Sequence, residues 1–214
     1  MNIKLEDVWY TYDGISYALS SINLELNGNR LYLVIGPNGA GKTTLLKLIA
    51  LLLKPSKGRI LINGVNPWTQ RSLDPLRESI VYVHDRPLLV KGDVEYNITL
   101  GLRLRGLEST NDSIEYYIKR YGLLEVRRHN SRSLGAGNKR IISILRAILL
   151  KPKVLLLDEP FTHLDQKRVE LLIEDLKELS RDSMIIMSSH YLYKGILEYT
   201  KEIYEIVAGR LRKF

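Results

Sequence analysis

The segment Gly36-Pro37-Asn38-Gly39-Ala40-Gly41-Lys42-Thr43 constrains this chain more than any other feature. It has the spacing GxxxxGK[ST]. The run Arg30 to Ile35, read as a buried strand, precedes it; a helical pattern from Lys42 to Leu53 follows, stopped by Lys54-Pro55. Glycines let consecutive backbone N–H groups turn toward one anion without a Cβ clash. The helix then aims its positive N-terminal end at the same anion. Lys42 adds a point charge near the outer phosphates of a nucleotide. The Thr43 hydroxyl suits Mg²⁺, and Thr44 suits a phosphate oxygen.

A second constellation is Val154-Leu155-Leu156-Leu157-Asp158-Glu159-Pro160, an aliphatic strand ending in two carboxylates. At the C-terminal end of a parallel strand these acids lie where an open α/β sheet binds ligand. Asp158 is then a candidate for Mg²⁺ and Glu159 for the general base that polarises an attacking water. Met184 to Ser188 reads as the next strand, followed by His190 in the same row of loops, placed to bond a terminal phosphate. His84, His129 and His163 lack such a context and read as surface or structural.

The remaining pattern alternates short strands with helices, as a mostly parallel sheet requires. Arg59 to Ile62 with Asn63-Gly64, and Ile80 to Val83, read as strands; Asp165 to Leu179 reads as an amphipathic helix. Ala208-Gly209 reads as the turn between two terminal strands. From Asp93 to Leu150 helical periodicity dominates, with Ser109-Thr110-Asn111 offering a cap. We take 88–138 as a helical insert and 1–87 with 139–214 as the core. The 214 residues suit a single α/β domain. No apolar run approaches the roughly 20 residues of a membrane span, and the first residues do not read as a secretion signal. Cysteine is absent, which excludes disulfides and thiolate metal sites. The net charge of +8 is scattered along the chain and does not by itself decide between nucleic acid, an anionic membrane surface and a solvated basic shell; no nucleic-acid partner is expected.

Together these residues resemble the ATP-binding cassette (ABC) family along the whole chain. Gly36 to Thr43 is similar to its Walker A motif, Leu155 to Glu159 to its Walker B, Thr162-His163-Leu164-Asp165 to its D-loop and His190 to its switch histidine. Val8-Trp9-Tyr10-Thr11-Tyr12 resembles the strand whose aromatic residue stacks on adenine, with Tyr12 the candidate by spacing. The resemblance implies an α/β fold: a phosphate-loop NTPase core of the RecA type, an N-terminal antiparallel β region and a helical signature subdomain. It implies ATP and Mg²⁺ as cofactors, Glu159, His190 and Lys42 as catalytic residues, and a dimer that sandwiches ATP. It also implies a separate transmembrane permease as partner and a cytoplasmic place on the inner face of the cell membrane.

Two positions depart from the family pattern. The signature LSGGQ aligns without gaps to Leu134-Gly135-Ala136-Gly137-Asn138, so Gly135 stands where the family has the serine that meets the partner subunit's ATP. A shifted register would use Ser133 and break the downstream spacing. Val83-His84-Asp85-Arg86-Pro87 resembles the Q-loop, with Asp85 in the glutamine position as a candidate metal ligand. The segment from Leu88 to Gly106 resembles the helical subdomain of import ATPases serving tungstate- or phosphate-like anion importers. Homodimer and heterodimer both remain open at this stage. A soluble family member acting on nucleic acid or a protein complex is the alternative, and a phosphate-loop kinase a more distant one.

Overall fold

The structure is a computed structural model that describes residues 1–107 and 111–214. Two sheets organise it. The smaller is antiparallel and comprises β1 (Asn2–Thr11), β2 (Tyr17–Asn27) and β4 (Lys57–Ile62), in the order β2-β1-β4. The larger contains β3 (Leu31–Ile35), β5 (Ile80–Val83), β6 (Val154–Asp158), β7 (Met184–Ser189), β8 (Thr200–Val207) and β9 (Arg210–Lys213), in the order β5-β6-β7-β3-β8-β9. All its neighbours are parallel except β8 and β9, which the turn at Ala208-Gly209 joins as a hairpin. This mixed α/β architecture, with an antiparallel N-terminal sheet and a helical region, is the one expected.

Helices cover both faces of the larger sheet: α1 (Lys42–Ile49), α2 (Asp74–Ser79), α3 (Val94–Leu104), α4 (Asn111–Arg120), α5 (Ala136–Ile148), α6 (Gln166–Leu179) and α7 (Lys194–Leu197). The side-chain period of two in a strand splits each central strand between two cores. Leu31, Leu33, Leu155, Leu157, Ile185 and Met187 pack with α3, α5 and α6 on one side. Tyr32, Val34, Leu156 and Ile186 pack with α1 and the antiparallel sheet on the other. Each buried aliphatic side chain contributes roughly 1.5–3 kcal/mol of transfer free energy. The central strands therefore form a rigid platform beneath the loops at their C-terminal ends.

Several boundaries differ from the expected ones. α1 ends at Ile49, not Leu53: Leu51 takes φ 58°, and the N–H groups of Leu52 and Leu53 both fold back onto the Lys47 carbonyl. That wrap closes the helix end and keeps Leu51 wholly buried. α5 begins at Ala136, because Gly135 takes the extended N-cap conformation (φ −65°, ψ 161°). It ends at Ile148. The helical insert is entered through an irregular stretch, 88–93, that bends at Gly92, and Asp93 caps α3 by accepting from the Tyr96 N–H. Ser109 and Thr110, read as part of a cap, lie outside the described residues. Among those residues no helix is long and apolar enough to cross a membrane.

Candidate nucleotide site

The loop between β3 and α1 is shaped by two glycines that no other residue replaces without strain. A Cβ at Gly36 (φ 151°) would lie 2.2 Å from the Ile206 carbonyl oxygen, and one at Gly41 (φ 111°) 2.8 Å from that of Ala18. Gly41 caps α1 without any side-chain acceptor, so the first-turn N–H groups are left for an anion. Lys42 is almost fully buried, and its Nζ donates to the carbonyls of Gly36 (2.7 Å) and Pro37 (3.2 Å). It also lies 3.3 Å from Glu159 Oε1, close enough for an ion pair though not in hydrogen-bonding geometry.

Tyr12, Pro37, Asn38, Gly39, Gly41, Lys42, Thr43, Thr44, Asp85 and Glu159 line one cavity of about 530 Å³. Apart from Gly36, Ala40 and His190, every residue assigned from sequence to this chain's own nucleotide is on that wall. Ala40 is buried and Gly36 contributes its carbonyl to Lys42. Tyr12 is 62% exposed, with a ring face available, and its OH bonds the Thr44 hydroxyl at 3.1 Å. Tyr10 packs edge-on against it at 4.9 Å between centroids. The loop beyond Tyr12 is organised by Asp13. The N–H groups of Ser16 and Ile15 and the Thr11 hydroxyl hold its carboxyl down to about 2.

Asp158 is buried at the end of β6 and accepts three hydrogen bonds: Thr43 Oγ1 at 2.7 Å, Tyr82 OH at 3.0 Å and Ser188 Oγ at 2.5 Å. Burial first, and then the Asp158 charge, push the Tyr82 hydroxyl far above the usual tyrosine range, so it remains a donor. Ser188 also accepts the Glu159 N–H at 3.0 Å. That bond helps hold Glu159 in the left-handed region, φ 48°, a costly conformation for a non-glycine residue. Glu159 Oε2 meets His190 Nδ1 at 2.8 Å. The three predicted catalytic residues are thus brought together: one carboxylate lies between a lysine and a histidine.

The donor set suits Mg²⁺. Thr43 and Asp158 offer one hydroxyl and one buried carboxylate a hydrogen bond apart, and among the described residues no group of three or more Asp, Glu or His side chains is arranged to hold a metal ion by itself. A cation here would complete its shell with phosphate and water oxygens, as Mg²⁺ prefers. Asp85 lines the same cavity, and its carboxylate pairs with the His84 ring and accepts the Arg86 N–H.

The signature candidates lie elsewhere. Leu134 to Asn138 do not line the cavity; they form the turn into α5. Leu134 is buried, and the shifted-register residue Ser133 spends its hydroxyl on the Asn130 carbonyl. Gly137 abuts the D-loop, where an added Cβ would lie 2.8 Å from the His163 carbonyl. A Cβ at Gly135 would meet nothing within 4 Å. Sequence reading missed Ser188 and Tyr82, whose roles arise from strand pairing across β5, β6 and β7.

A phosphate loop beside a buried aspartate, the partly exposed glutamate that follows it and a histidine defines a nucleotide-hydrolysing cassette. The family model described as ABC transporter matches residues 19–162. A Pyrococcus abyssi protein provisionally described as an ABC transporter ATP-binding protein is 32% identical over 99% of this chain and 82% of its own length. The molybdate/tungstate import ATP-binding protein WtpC of the same organism is 31% identical over 82% of this chain and half of its own. Among solved structures, the dimeric ATP-binding cassette MJ0796 bound to ADP and Pi superposes with a TM-score of 0.85. It is 26% identical and covers 99% of this chain and 97% of its own. The chain belongs to the ABC transporter family of ATP-binding cassettes and is an ATP hydrolase of that family.

Proposed function

We propose that this chain is the ATP-driven subunit of an importer, working as a homodimer on the cytoplasmic face of a separate permease. The observation that carries the reading is the convergence of Lys42, Glu159, His190, Asp158 and Thr43 on one side of the phosphate loop. In this arrangement Glu159 holds the attacking water as general base. Lys42, already directed along the loop carbonyls, neutralises the outer phosphates. His190 fixes the Glu159 carboxylate and takes part in sensing the terminal phosphate. Thr43 and Asp158 would hold Mg²⁺, which would supply positive charge to offset that of the phosphates. Tyr12 offers its ring face to adenine. The irregular segment 88–93 and α3 form the face that receives the permease.

Each subunit presents its Leu134–Asn138 turn to the ATP of the other, through the first-turn N–H groups of α5 rather than a serine hydroxyl. Open space at Gly135 and the tight fit of Gly137 on the D-loop support a working turn rather than a collapsed one. Import of an oxyanion is supported by the likeness to WtpC and by the segment Lys91 to Gly106. The test is phosphate release by the purified chain in MgATP. Glu159→Gln should abolish turnover while ATP still binds, and Lys42→Ala should weaken binding itself. Turnover unaffected by Glu159→Gln would remove the proposed base.

A further inference from the structure

The helix that starts at Gly135 carries a guanidinium that the chemistry above does not use. Arg140, five residues into that chain direction, has no exposed surface at all. Its Nη1 donates to the His84 carbonyl at 2.8 Å and its Nη2 to the Asp85 carbonyl, while its Nε is buried without an acceptor. A buried cation satisfied only by neutral carbonyls is expensive unless negative charge lies nearby. Here the nearby negative charge belongs to the nucleotide site. Burial pulls the Arg140 guanidinium below its ordinary value, and the carboxylates of Asp85, then Asp158, then Glu159 pull it back.

The loop held this way is the one bearing Asp85. Its other end hangs from the same helix: Arg146 Nη1 donates to the Leu88 carbonyl at 2.9 Å, and its Nε and Nη2 bind the carbonyl and side-chain oxygen of Asn97, each at 2.8 Å. Residues 84–88 are therefore clamped to α5 at two points. Asp85 brings a third carboxylate to a site that already holds two and must also accept phosphates. Without a compensating cation, that acid would repel the ligand it faces.

We propose that Arg140 is a positioning residue matched to Asp85: it clamps the Asp85 loop to the signature helix and supplies the positive charge that lets an acid work in the nucleotide cavity. This rests on the reading of the cavity as an ATP site. It makes the turn at Gly135 and the carboxylate at position 85 parts of one rigid body, so displacement of either moves the other.

A double-mutant cycle tests it, using the full chain with Glu159→Gln as parent so that bound ATP persists. Arg140→Gln removes the charge but keeps a donor for a carbonyl; Asp85→Asn removes the acid. ATP affinity is measured by calorimetry with Mg²⁺ and with chelator. Arg140→Gln should weaken MgATP binding about tenfold when Asp85 is present and less than about threefold when position 85 is asparagine, the size of coupling expected of two residues in direct contact, here through the Asp85 carbonyl. Arg140→Lys should recover most of the loss. Equal losses in both backgrounds, or none in either, overturn the proposal. If Arg140→Gln alone fails to melt cooperatively, a cooperative transition in the double variant supports the matched pair, and a second failure refutes it. A parent that binds no ATP would sink the functional reading and this inference together.

Discussion

Ser188→Ala removes one oxygen atom from a position with no exposed surface, and its consequences follow from the two bonds that oxygen makes. Its hydroxyl donates to Asp158 Oδ1 at 2.5 Å, a bond to a charged acceptor, and accepts the Glu159 N–H at 3.0 Å. A hydrogen bond to a charged group contributes about 1.5–3 kcal/mol, and a buried donor left without a partner costs about 1–3 kcal/mol. Asp158 keeps Thr43 and Tyr82, so the full sum is not lost; roughly 3 kcal/mol of destabilisation is expected. For a chain of this size each kcal/mol lowers Tm by roughly 2–4 °C, which gives a fall of about 6–12 °C in a calorimetric scan. The chemistry should suffer separately. Glu159 loses the bond that helps hold it at φ 48°, so its carboxylate shifts from the position fixed by Lys42 and His190. The turnover rate in saturating MgATP should drop by about tenfold or more, the scale of a misplaced general base. A melting point within about 2 °C of the parent, together with kcat within about twofold, would refute the reasoning.

Other outcomes are expected at neighbouring positions. Gly135→Ser enters open space at an ordinary φ and adds an N-cap side chain, so stability should change by only a few tenths of a kcal/mol. The ATP-driven dimer should meanwhile tighten about tenfold or more through one charge-assisted contact, read by sedimentation. Gly137→Ala forces a Cβ against the His163 carbonyl and should cost about 1–3 kcal/mol in urea unfolding. The Asp13 carboxyl, held near 2, stabilises the loop 11–16 fully above its unfolded value near 3.8; that contribution is lost as pH falls from about 4 toward 2. A carboxyl-carbon NMR titration should show a midpoint near 2, and one near 3.8 would contradict the hydrogen-bond assignment.

The parts legible in the sequence are those whose chemistry is local. The phosphate loop is written in glycine spacing, and the structure shows why: Gly36 and Gly41 sit where a Cβ would strike backbone or side chain. The acid pair was legible because it ends an aliphatic strand in a chain that also carries an intact phosphate loop; alone, two acids at a strand end read equally well as a solvated pair. The contacts that organise those acids were not. Ser188 reaches Asp158 across 30 residues, Tyr82 across 76, and Arg140 reaches Asp85 across 55. Each depends on which strands or helices become neighbours, which no local pattern encodes. Helix ends were misplaced for related reasons. Residues 50–53 look helical, yet Leu51 turns left-handed and is the buried member of the wrap, while Leu52 is exposed. Ala136 and Gly137 look like loop, yet they form the first turn of α5, where glycine is demanded by the D-loop rather than by flexibility.

On the proposed function, ATP itself closes two copies of this chain around the site built on Lys42, Asp158 and Glu159. The most direct test is the mass in solution of Glu159→Gln with and without MgATP. Loss of the base should trap the closed form. The expected result is a monomer of about 25 kDa that doubles when MgATP is added and returns to monomer when ATP is removed. A chain that binds MgATP yet stays monomeric would contradict the homodimer.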